Sequence, residues 1–108
     1  MKMMLIDILK DYKMAIEIVK LITGEEIIGD ASQTGDNITI KNPATVHLVP
    51  GEGNRISIAM VPFAPYAEQD SFMFNLAHIM TSYTPGTDLF NQYNQRFGSG
   101  IVVARGNI

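Results

Sequence analysis

Between residues 16 and 83, short runs rich in β-branched residues are broken by turn residues at almost every step. The runs cover residues 16–22, 26–31, 37–49, 56–62 and 72–83. The breaks are Thr23-Gly24, Thr34-Gly35-Asp36, Pro50-Gly51-Glu52-Gly53-Asn54 and Ala67-Glu68-Gln69-Asp70. Connections this short leave no room for crossover helices, so the five strands are expected to pair antiparallel, as a meander. A chain of 108 residues supports one domain and one core, and a meander of that size is expected to close into a small barrel. Small barrels mostly serve binding, so the architecture narrows function more than any single residue does.

The flanks read as helices. Met1, Met4, Leu5, Ile8, Leu9 and Tyr12 fall at helical spacing, with Lys2, Asp7, Lys10 and Asp11 on the other face, which predicts an amphipathic helix over residues 1–12. Such a helix is marginal alone and must dock, as a cap on the barrel or on one face of an oligomer. Asp7, Lys10 and Asp11 interrupt what would be the apolar region of a signal peptide, and no small-residue cleavage site follows. A second helix is predicted over residues 85–97, with Thr84-Pro85 or Thr87 at its start. Leu89, Phe90, Tyr93 and Phe97 form its apolar face, and Gly98 fits the position after its last turn. Residues 98–108 read as a tail. Two interior residues predict bends: Gly29 within the second strand, and Pro43, which removes a ladder donor within the third.

Charge and residue content exclude several classes. No apolar run approaches the ~20 residues that span a bilayer, so no membrane partner is expected. The absence of cysteine rules out disulfides and thiolate metal sites and fits a reducing, cytoplasmic setting. A net charge of −3 disfavours duplex DNA, which proteins hold mainly through phosphate contacts. No phosphate loop or dinucleotide fingerprint occurs, and His47 and His78 belong to no metal-ligand pattern. Gly98-Ser99-Gly100 lacks the strand–serine–helix setting of a nucleophile elbow. Glu25, Glu26 and Asp30 sit at a turn and strand start, where carboxylates are solvated. No nucleophile–base–orienter set can be named, so the expectation is no enzyme, no metal and no cofactor. The aromatics Phe63, Tyr66, Phe72, Phe74 and Tyr83 crowd the last two strands, either as core or as a stacking platform for unpaired bases.

The order of these elements resembles the Sm-like family. Residues 19–30, Val-Lys-Leu-Ile-Thr-Gly-Glu-Glu-Ile-Ile-Gly-Asp, resemble the first Sm motif, an apolar strand, a turn glycine, and a strand with a bending glycine. Residues 38–43 look like the strand completing that motif in the bacterial Hfq branch. Ala77-His78-Ile79-Met80-Thr81-Ser82-Tyr83-Thr84-Pro85 is similar to the second Hfq motif, with the histidine in register and Ala77 in place of a lysine. The Ile-Arg-Gly signature of the eukaryotic and archaeal branch is absent from this strand; Ala104-Arg105-Gly106 is similar but lies after the second helix. Over its whole length the chain looks most like small Sm-like proteins of marine phage.

The resemblance implies an all-β fold: a strongly bent five-stranded antiparallel barrel with an N-terminal helix, to which the C-terminal helix is an addition. It implies a homo-oligomeric ring of about five to seven copies, the fourth strand of one copy pairing with the fifth of the next. Ile56, Ile58, Met60, Phe72, Phe74 and Leu76 are the expected interface. Strands 56–61 and 72–83 carry no lysine or arginine guard, and ring closure would remove both exposed edges. The family's use of its inner rim implies non-catalytic binding of single-stranded RNA near Asp36, Asn37 and His78, with Phe74 or Tyr83 stacking a base. In a phage protein this would act as an RNA chaperone or regulator in the host cytoplasm. The alternative is a structural or protein-interaction ring that binds no RNA, for example in phage assembly.

Overall fold

The structure, a computed structural model, describes residues 15–97. The expected N-terminal helix and the tail, including Gly98, lie outside the described residues. The described chain is mostly β, with six strands in one antiparallel sheet followed by one helix. The strands are β1 (Ile16–Leu21), β2 (Glu26–Thr34), β3 (Asn37–Pro50), β4 (Ile56–Pro62), β5 (Ser71–Asn75) and β6 (Ile79–Tyr83), and the helix is α1 (Thr87–Arg96). The sheet runs β4-β3-β2-β1-β6, and β5 pairs with β3.

Two expectations are corrected here. The run 72–83 is not one strand. Asn75 ends β5, its Oδ1 accepts the Ala77 N–H at 2.8 Å, and Leu76–His78 form a single 3-10 turn between β5 and β6. The path is therefore not a simple meander. The chain goes up and down through β4, returns to the free edge of β3 as β5, and turns the corner to line β6 along β1. Asn75 is the cause, since a short amide side chain offers the backbone a local alternative to the ladder.

β3 is long enough to take β4 and β5 end to end on one edge because it bends in the middle. Its first part, from Asn37 to Lys41, pairs with β5, and its second, from Ala44 to Pro50, pairs with β4. Asn42, at φ 51°, sits between them in the left-handed region that asparagine tolerates best after glycine. Pro43 follows in the gap where neither partner strand needs its missing N–H. Opposite the bend, the β2–β3 register slips at Gly29. A Cβ there would overlap the Ile40 Cγ2 methyl and approach the Lys41 carbonyl at 3.0 Å, so only glycine lets the two backbones meet.

Alternation along the strands sends neighbouring residues to opposite faces and creates two cores. Ile16, Ile18, Ile28, Ala44 and Met60 face α1, whose Leu89, Phe90, Tyr93 and Phe97 cover them. Val19, Ile27, Ile38 and Ile40 face the other way, under Phe63, Phe74, Leu76 and Ile79. Phe63 meets Phe72 and Phe74 edge-on, with centroids 5.6 and 5.4 Å apart, and fills the corner where β4 gives way to β5. Neither expected side-chain cap opens α1. Its N-cap is Gly86, which makes no side-chain bond, and Pro85 is buried just before it.

Candidate functional site

The 3-10 turn between β5 and β6 is bonded to two other parts of the chain. The β2–β3 turn is the tight pair Gly35-Asp36, with Gly35 at φ 58°, a conformation costly to other residues. The Leu76 N–H donates to the Asp36 carbonyl at 2.9 Å, and Asn37 lies opposite Asn75 in the β3–β5 ladder. On the other side, the Ile22 N–H donates to the His78 carbonyl at 2.9 Å. The 3-10 turn is thus tied by backbone bonds to the β2–β3 turn and to the end of β1. Asp36 and Asn37 therefore lie against the start of the turn whose last residue is His78, although 41 positions separate Asn37 from His78 in the chain. Asp36 and His78 are exposed, Asn37 is half-buried, and none of the three side chains bonds another described residue.

The three side chains are a carboxylate, a carboxamide and an imidazole, which suit the edges of a heterocyclic base. Of the four described basic residues, Lys20 lies on β1 opposite Glu26 and Thr81, Lys41 at the bend of β3, Arg55 in the β3–β4 turn, and Arg96 at the end of α1. A nucleic acid held here would be gripped by its bases more than by its phosphates.

The two expected stacking residues are placed elsewhere. Phe74 packs into the second core against Phe63, because its β5 position faces Ile38 on the covered side of the sheet. Tyr83 sits five residues beyond His78, roughly 16 Å along β6 at ~3.3 Å per residue. Its hydroxyl donates to the Glu26 carboxylate. That bond first, and burial second, raise Tyr83 to about 12 from its ordinary 10. The folded state therefore prefers neutral Tyr83. This contribution to stability is complete below pH 10 and is lost as pH rises from 10 to about 12. Alkaline absorbance titration should show one tyrosine ionising near pH 12, and Tyr83→Phe should remove that step. Its persistence in the variant would assign it to another ring.

The other carboxylates of that region are likewise engaged in structure. Thr23 Oγ1 donates to Glu25 at 3.1 Å, and the Ala15 N–H donates to Asp30 Oδ1 at 3.0 Å. His47 Nε2 lies 3.0 Å from Thr45 Oγ1, on the outer part of β3. Among the described residues no group of three or more histidines and carboxylates is placed to hold a metal ion, and no helix is long and apolar enough to cross a membrane.

The expected interface residues divide sharply. Met60, Phe74 and Leu76 are absorbed by the cores, and Phe72 packs against Phe63. Ile56 and Ile58 stand in water, 68 % and 41 % exposed, on a strand whose outer edge is unpaired among the described residues. Leu48, which the alternation of its run predicts as a core position, is instead exposed, as are Val61, Met73 and Met80. The chain matches no protein-family model, and no curated protein matches it.

Proposed function

We propose that this chain is an Sm-like subunit. Its copies join edge to edge into a ring, and each holds an unpaired RNA base in the slot formed by Asp36, Asn37 and His78. The observation that carries this is the hydrogen bond from the Leu76 N–H to the Asp36 carbonyl. It unites the two segments that resemble the Sm motifs, at the residues through which the family binds RNA. The exposed apolar strands at the two ends of the sheet path, β4 and β6, supply the edges for assembly. In the slot, His78 contacts base or ribose and Asn37 reads a base edge. Phe74, packed in the core, and Tyr83, bonded to Glu26, are no longer assigned to the base.

Filter retention of short U-rich and A-rich RNA at low salt tests the slot. Binding at micromolar protein is expected, and His78→Ala should weaken it by about 1–3 kcal/mol. Retention of neither RNA at that concentration overturns the RNA assignment. A ring that binds protein and no RNA is the second reading, favoured by one observation: nine carboxylates against four cations among the described residues. A protein held by the purified ring, without nucleotide absorbance, is the outcome that selects it.

A further inference from the structure

We propose that the loop carrying Tyr66 is a knob that seats in a socket at the tip of the β3–β4 hairpin of a second copy. Tyr66 is 98 % exposed, yet the loop that presents it is well anchored. At its start Phe63 is locked in the second core and its N–H donates to the Pro43 carbonyl at 2.9 Å. In its middle the Ala67 N–H closes a turn on the Ala64 carbonyl at 3.1 Å. At its end the Asp70 carbonyl accepts the Asn42 N–H at 2.6 Å. A large aromatic side chain held out by an ordered loop loses little freedom on docking, which is the profile of an interface anchor. Exposed Glu68 stands two residues beyond it.

The socket is a shallow hollow of about 370 Å³ lined by Leu48, Pro50, Ile56 and Arg55, among others. Its lining is mainly apolar, with Asn54 and Arg55 as the polar side chains, Leu48 is 72 % exposed, and Arg55 makes no ion pair among the described residues. An aromatic ring with a carboxylate beside it complements an apolar hollow with a cation beside it. The knob leaves β4 after Pro62 and the socket lies at Ile56, roughly 20 Å apart at ~3.3 Å per residue, so one copy does not fill its own socket. The contact is therefore head-to-tail, of the kind that closes into rings or propagates. Glu68 next to the ring disfavours a nucleic acid as the occupant. This contact rests on the proposed assembly and reinforces edge pairing within it.

The test is dilution of a labelled full-length copy, followed by fluorescence anisotropy. Tyr66→Ala should raise the dissociation concentration about tenfold or more. Glu68→Arg and Arg55→Glu should each raise it roughly three- to tenfold, and the double variant should restore it. All three positions are exposed, so an unchanged melting curve verifies folding. Single variants without effect, a double variant no better than the singles, or a monomer at every concentration overturns the contact. If the charge swap rescues while Ile58→Pro leaves the mass unchanged, edge pairing fails and the knob stands.

Discussion

Tyr93→Ala is expected to cost about 3–5 kcal/mol of folding stability, enough to leave a domain of this size largely unfolded. Tyr93 is 1 % exposed at the centre of the core under α1, and its ring stacks on Phe97 at 5.6 Å. Removing it leaves a cavity between helix and sheet that neither can close without breaking strand pairing. Its hydroxyl adds a second role. It donates to the Asn42 carbonyl at 2.7 Å, with the Lys41 carbonyl at 3.2 Å as a further acceptor. These carbonyls lie at the left-handed bend of β3, where the ladder lapses. Burial first, and the negative charge of Asp30 second, push the phenol well above its ordinary 10, so it remains a donor at any physiological pH. Tyr93→Phe isolates this term and should cost about 1–3 kcal/mol by leaving bend carbonyls unpartnered. Urea midpoints of the two variants measure both costs. Equal losses would mean that the hydroxyl holds nothing and that the bend is maintained by Asn42 and Gly29 alone.

That bend also marks the limit of what could be read from the chain alone. Gly29 and Pro43 pointed to it, and both lie within two residues of it in the folded ladder. Runs of alternating apolar residues located β1 and β4 well, and β2 and β3 apart from their far ends. α1 falls inside its expected span because its apolar face repeats at helical spacing. What failed was non-local. The split of the run 72–83 turns on one Asn75 side chain that outcompetes a strongly β-prone neighbourhood, and the return of β5 to β3 depends on the bend making room. Asp36, Asn37 and His78 were named through a resemblance, and the bond from the Leu76 N–H to the Asp36 carbonyl joins the two segments that carry them. Phe74 was misassigned because pattern alone does not tell a core aromatic from an exposed one. Tyr83 was misassigned because its partner, Glu26, lies 57 positions away. The role of Tyr93 at the bend was invisible for the same reason. One signal was available: a tyrosine in place of a phenylalanine on a buried helix face needs a partner for its hydroxyl.

Ile58→Pro should convert the assembly to single copies while leaving the fold of each nearly intact. The parity of the β3–β4 ladder decides this. The Phe63 N–H donates to the Pro43 carbonyl and the Gly51 N–H to the Arg55 carbonyl, so odd-numbered residues of β4 turn their backbone groups inward to β3. Ile56, Ile58 and Met60 therefore turn their N–H and C=O groups outward, to the edge that a neighbouring copy would use. Pro62, already present at an outward position, shows that the strand accepts proline there. A proline at 58 deletes one outward donor and sets a ring against any strand approaching from outside, with no loss to the subunit's own ladder. Ser57→Pro is the control. It removes an inward donor opposite Val49 and should destabilise the hairpin itself by about 1–3 kcal/mol. Light scattering should give a mass of several subunits for the unaltered chain and of one for Ile58→Pro, with closely similar circular dichroism. If the mass stays high, the copies are not joined through β4, and the exposure of Ile56 and Ile58 needs another cause.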